Sequence, residues 1–220
     1  MEVELIPVLE IGCSNQGLDS PNVFPTWEHA VDWDGYAARS HAKAGFPAPL
    51  KPFAPGLFFY RATELDLGNL QKLVADHLEG YFNGEWSLEE VNTLWGGYLL
   101  RIDGTNALFP QCCGQLADII YWEHIAKQSR SVYYHGHPSP VATFTAQEVI
   151  FRCAASSEEF IPNTASEIRI PKGALSAAYD EVLAELAVLA QRLAQVRHGL
   201  NLHIGDLTNL LIFRNMELPY

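Results

Sequence analysis

The chain has 220 residues, 48% of them hydrophobic, and a formal net charge of −12. That composition supplies a full hydrophobic core and excludes wholesale disorder. The charge opposes a phosphate backbone at long range and argues against nucleic acid as a partner, while it attracts basic proteins and cationic ligands.

The chain opens on Met1, Glu2, Val3 and Glu4, without the basic and apolar regions of a signal peptide. No apolar run approaches the roughly 20 residues needed to cross a bilayer, so neither secretion nor a membrane is expected. Residues 1–11 alternate and then become continuously apolar, which predicts a strand; Pro7 favours a sheet edge or a bulge. Residues 12–55 are Pro-rich and irregular in pattern, with helical turns expected over residues 26–43, Thr26 as their cap, and an extended surface stretch over residues 47–55. Residues 56–62 read as a short buried strand. Residues 66–80 read as an amphipathic helix with Leu67, Leu70, Leu73, Val74 and Leu78 on one face.

Residues 95–125 form the centre of the pattern. Ser87 and Glu90 have capping-box spacing for a short helix that Gly96 and Gly97 then break. A strand over residues 98–102, an Asp103-Gly104 hairpin turn and a return strand over residues 107–112 follow, and a helix is expected after Gly114. Strands are expected over residues 131–137 and 147–153, a loop over residues 156–164, and a short strand over residues 167–170. The clearest periodicity joins Leu175, Tyr179, Val182, Leu186, Leu189, Leu193, Val196 and Leu200 in steps of four and three. It predicts a long C-terminal helix over residues 175–198, with Gly199 as a left-handed stop. Ala184, Ala187, Val188 and Ala194 make its opposite face non-polar too. Residues 207–214 read as a last strand or short helix. The expected fold is α+β, one domain over residues 1–220, with the long helix packed across a mainly antiparallel sheet.

Three constellations could carry chemistry. Cys112 and Cys113 precede the expected helix after Gly114, and a helix N-terminus stabilises a thiolate. Gln111 or Gln115 could donate to an oxyanion, and His124, His135 or His137 could act as base, giving a cysteine-dependent hydrolase or transferase. Against this, cysteine is among the most buried residue types and can simply fill space. His135 and His137 would share one face of a strand, as a metal pair does, but no further ligand has a diagnostic spacing. Neither a metal nor a cofactor is therefore expected. Trp27, Asp32, Trp33, Asp34 and Tyr36 form an acidic aromatic group that suits protein recognition, or that anchors the irregular segment to the core.

Cys13, Cys112, Cys113 and Cys153 include no C-x-x-C pair, and reduced thiols in a cytoplasm are expected. The P-loop, Rossmann, G-x-S-x-G and H-E-x-x-H patterns are missing. The leading expectation is a non-catalytic acidic intracellular protein that binds a basic protein partner, in the manner of a bacterial immunity or inhibitor protein. The alternative is cysteine chemistry at Cys112 or Cys113 with His135 or His137.

Overall fold

The computed structural model describes residues 1–13, 16–154 and 158–214. It is an α+β structure with two antiparallel sheets. The first sheet has the order β2-β1-β3-β4, built from β1 (Val3–Glu10), β2 (Phe59–Arg61), β3 (Gly96–Ile102) and β4 (Thr105–Leu108). The second has the order β5-β6-β7, built from β5 (Val141–Phe144), β6 (Glu148–Arg152) and β7 (Glu167–Pro171). The strands thus divide between two sheets. No alternation in the sequence marks β5, which lies between Pro140 and a bend.

β1 is an inner strand, contrary to the edge position expected from Pro7. Residue Pro7 lies opposite Tyr98 of β3, and its carbonyl accepts from the Ala62 N–H at 3.0 Å. In a strand the N–H and C=O of one residue point to the same side, so the missing donor of Pro7 faces the β2 side. β2 pairs only with Val8–Glu10, so that donor is not needed there.

Alternation along β1 and β3 sends side chains to two different cores. Leu5, Leu9, Tyr98 and Leu100 join the main cluster, whereas Ile6, Val8, Leu99, Leu57 and Phe109 form a smaller one on the other face. Gly96 and Gly97 lie inside β3, at φ 131° and 129°, and do not precede it. A Cβ at Gly96 would meet the Val8 carbonyl oxygen at 2.1 Å, so only glycine permits this close pairing. Asp103 and Gly104 turn the β3–β4 hairpin with φ 47° and 76°, as their dipeptide requires. β4 ends at Leu108, short of the expected Cys112, because Pro110 has no N–H for the ladder.

The main cluster is covered by α5 (Lys172–Gly199), which packs on β1 and carries α2 (Leu67–His77) and α4 (Ile119–Gln128) against itself. Seven of the eight seam residues are buried: Leu175, Tyr179, Val182, Leu186, Leu189, Leu193 and Val196. α5 begins directly after β7, before the expected start, through Lys172 and the poor helix former Gly173. Gly199 closes the helix, and Asn201 takes the left-handed conformation with φ 51° in place of Gly199. The charges of α5 act across elements: Glu185 accepts from Arg61 at 2.7 Å, and Arg192 donates to the Thr63 carbonyl at 2.6 Å and to that of Leu65. No helix among the described residues is long and apolar enough to cross a membrane.

α1 (Ala30–Ala44) lies within the Pro-rich segment; His29, not Thr26, occupies its N-cap, without a side-chain capping bond. α2 is capped by Asp66, whose Oδ1 accepts from the Gly68 N–H at 2.8 Å; α3 (Glu79–Phe82) follows it as a separate turn. Ser87 and Glu90 make the expected capping box on a 3-10 turn (Leu88–Glu90). A π-helical turn (Asn209–Phe213) ends the described chain, with Leu211 and Ile212 buried.

Candidate functional site

The second face of the first sheet is covered by irregular chain, and there a cleft of about 880 Å³ opens. Leu57, Phe58 and Phe59 line it from the chain entering β2, Phe24, Pro25 and Trp27 from the Pro-rich segment, and Pro110, Cys112, His137 and Ile161 from three further loops. Gly56 makes this assembly possible. Its φ is 71°, and a Cβ there would meet the Thr26 carbonyl oxygen at 2.4 Å and the Trp27 Cα at 2.6 Å. Asp34 Oδ1 accepts from the Gly56 N–H at 2.9 Å and ties the same turn to α1. On the opposite rim, the Gln111 side chain donates to the Ile161 carbonyl at 3.0 Å and accepts the Ile161 N–H at 2.9 Å.

The cleft is apolar in its walls and acidic in its charges. Glu10, Glu158 and Glu159 line it, and none of its described lining residues is Lys or Arg. Glu10 is an exposed residue that lines the cleft, yet burial among surrounding atoms raises its carboxyl above the ordinary value. Phe24 is 65% exposed and Ile161 55%, so two large apolar side chains stand at the rim.

Residues 131–137 form no strand, which corrects the expectation that His135 and His137 share a face. His135 is drawn to the 3-10 turn (Leu116–Asp118) that precedes α4: its N–H and its Nδ1 lie 3.0 and 2.7 Å from Asp118 Oδ1. Asp118 is 1% exposed, and its other oxygen accepts from the Gln115 N–H at 3.0 Å. His135 thereby belongs to a structural node. His137 turns the other way, into the cleft. Its N–H donates to the Cys112 carbonyl at 2.9 Å, and its Nδ1 lies 3.2 Å from Glu158 Oε2.

Cys112 and Cys113 do not sit at a helix N-terminus; Gly114, Gln115 and the 3-10 turn separate them from α4. The two thiols are 3.6 Å apart, and their mutual hydrogen bond, followed by burial, raises Cys112 above the usual thiol value. One donor atom each from Cys112, Cys113 and His137 lie within 4.8 Å of one another. Of the expected oxyanion donors, Gln111 donates to the Ile161 carbonyl, and Gln115 is buried, its Oε1 accepting from Thr93 Oγ1 at 3.0 Å. His124 is buried on α4, 2.9 Å from Gln128 Oε1.

The acidic aromatic group does not form one exposed patch. Trp33 and Tyr36 are buried and meet edge to face, and Trp33 Nε1 donates to the Val23 carbonyl at 2.7 Å. Asp34 holds Gly56, Asp32 is exposed, and Trp27 lines the cleft. Sequence reasoning passes over Phe24, Phe58, Phe59, Glu10 and Glu158, which are scattered through the chain. The one signal for the three phenylalanines is a density of aromatic residues near prolines, and the two glutamates carry none.

Comparison with known proteins finds no matching family model, no similar curated protein and no similar solved structure. The chemistry of the cleft therefore carries the functional reading.

Proposed function

We propose that this chain is a non-catalytic binding protein of the cytoplasm whose cleft receives an apolar anchor from a basic protein partner. The observation that carries the reading is the combination, in one cleft, of the aromatic walls Phe24, Trp27, Phe58 and Phe59 with the acidic side chains Glu10, Glu158 and Glu159. Its volume of about 880 Å³ falls within the roughly 300–1,000 Å³ of ligand sites. An aromatic or branched aliphatic side chain would bury its surface against these walls, and a neighbouring Lys or Arg would meet the carboxylates at the rim. The net charge of −12 steers such a partner toward the protein and repels nucleic acid. A bacterial-type immunity or inhibitor protein, covering a basic target, would work in this way.

The test is a fluorescence titration of the full chain with two short peptides that share a Phe or Leu anchor, one flanked by Lys and Arg, the other by Glu. The basic peptide is expected to bind, to weaken as salt is raised, and to lose binding in Trp27→Ala. Equal affinity for both peptides, or none for either, overturns the reading.

Cysteine-dependent hydrolase or transferase chemistry is the second reading, favoured by one observation: His137 stands beside Cys112 within the cleft. It requires a thiol that alkylates readily at neutral pH. Iodoacetamide reactivity confined to pH above about 8 would mark ordinary thiols and remove it.

A further inference from the structure

We propose that Cys112, Cys113 and His137 form a binding site for one thiophilic metal ion of the zinc class. The thiol separation of 3.6 Å is far longer than a disulfide bond. It is close to the edge of a tetrahedron around zinc, which is about 3.8 Å for Zn–S bonds of about 2.3 Å. The donor atoms of all three residues fall within 4.8 Å of one another, so one ion can reach all three with small side-chain adjustments.

Two backbone features assemble this set before any ion arrives. Consecutive side chains on an extended chain point to opposite sides, which would hold adjacent cysteines away from each other. Cys113 instead adopts φ 66°, a left-handed conformation that non-glycine residues rarely take, and the turn brings both sulfurs together. The backbone bridge between Cys112 and His137 then fixes the imidazole beside them, through the 2.9 Å bond from the His137 N–H to the Cys112 carbonyl.

The surroundings fit a cation. Glu158 Oε2 lies 3.2 Å from His137 Nδ1, the arrangement by which a carboxylate orients a metal-binding histidine, and a bond there would leave Nε2 to the ion. Glu10, Glu158 and Glu159 line the same cleft as Cys112 and His137. Two sulfurs and one imidazole select a soft or borderline ion; calcium and magnesium take oxygen donors. On binding, each thiol gives its proton to solvent, so two thiolates and one divalent ion form a neutral unit. Three protein ligands leave a tetrahedral ion one position for water or for a donor atom of a cleft ligand.

The test is titration of the reduced, metal-free full chain with cobalt(II), followed by zinc. One cobalt per chain is expected, with a thiolate-to-cobalt charge-transfer band and the intense visible bands of tetrahedral cobalt, both bleached by zinc. Cys112→Ser and Cys113→Ser should each lose most of the charge-transfer band, whereas Cys13→Ser should keep it. His137→Gln should weaken binding at least tenfold, and Glu158→Gln about 10- to 100-fold. Because both cysteines are exposed, circular dichroism of these variants should match the parent chain. Absence of the charge-transfer band, its survival in the Cys112→Ser, Cys113→Ser double variant, or unchanged affinity in His137→Gln overturns the site. The titration uses no peptide, so its outcome is independent of whether the cleft binds a partner.

Discussion

The two faces of the four-stranded sheet are built from the same strands and end in opposite conditions. On one face α5 lays a continuous apolar seam over β1, and Leu5, Leu9, Tyr98 and Leu100 lie sealed in the main core. On the other, Ile6, Val8, Leu99 and Phe109 are covered by the irregular chain around Trp27 and Phe53, and a cleft stays open. A long helix presents a repeated apolar surface that matches the flat face of a sheet and can exclude water along its length. Irregular chain must satisfy its backbone polar groups one at a time, through devices such as Asp34 on Gly56 and Gln111 on Ile161, and leaves gaps between them. In this molecule the gaps form the cleft lined by Phe24, Trp27, Glu10 and Glu158.

The largest expected effect tests the node that separates the two histidines. Asp118→Ala leaves the Gln115 N–H, the His135 N–H and the His135 ring without their acceptor and, at about 1–3 kcal/mol for a buried donor left unmade, should cost about 3–5 kcal/mol in urea unfolding. Next is the contrast between the faces. Leu189→Ala, at a fully buried seam position, should cost about 2–5 kcal/mol by opening a cavity. Trp27→Ala, partly buried at the cleft, should cost less, about 1–2 kcal/mol, while removing peptide binding. Similar losses of stability for the two would erase the contrast between a sealed face and an open one.

A smaller effect follows from pH. Burial lowers His41 and His77 below the usual histidine value, against the opposing pull of backbone carbonyls, Gly12 and Ile11 at His41 and Asn92 at His77. In the unfolded chain they take up protons near pH 6.5, while the folded chain resists until lower pH. Stability is therefore fully present above about pH 6.5 and falls as pH drops toward the folded values. Urea midpoints should decrease from about pH 7.5 to about pH 5.5, a window above most carboxylate titration. The decrease should shrink in His77→Gln.

Much of the fold is legible in the sequence because its signals are local. The steps of four and three in α5 mark buried positions whatever the helix meets, and Asp103-Gly104 names its turn through the sign of φ alone. The capping box of Ser87 and Glu90 is equally self-contained. Pro7 misleads because its cost depends on whether a neighbouring strand needs the missing N–H, and β2 stops just short of needing it. The expected strand over residues 131–137 fails for a related reason: alternation there comes from Tyr133, His135 and His137, and the two histidines are directed by Asp118 and Cys112 from elsewhere in the chain.

The candidate site is legible only in fragments. The sequence singles out Cys112, Cys113 and His137, and the fold brings them together, but it groups His135 with them when that ring belongs to Asp118. It likewise groups Trp27 with Trp33 and Tyr36, which share its segment and not its exposure. The sequence by itself determined the α+β class, the seam of the long helix and the hairpin, since periodicity and backbone conformation are properties of neighbouring residues. Tertiary structure decided which face of the sheet stayed open and which histidine met the thiols. Those outcomes depend on contacts between segments far apart in the chain, and no spacing along it encodes them.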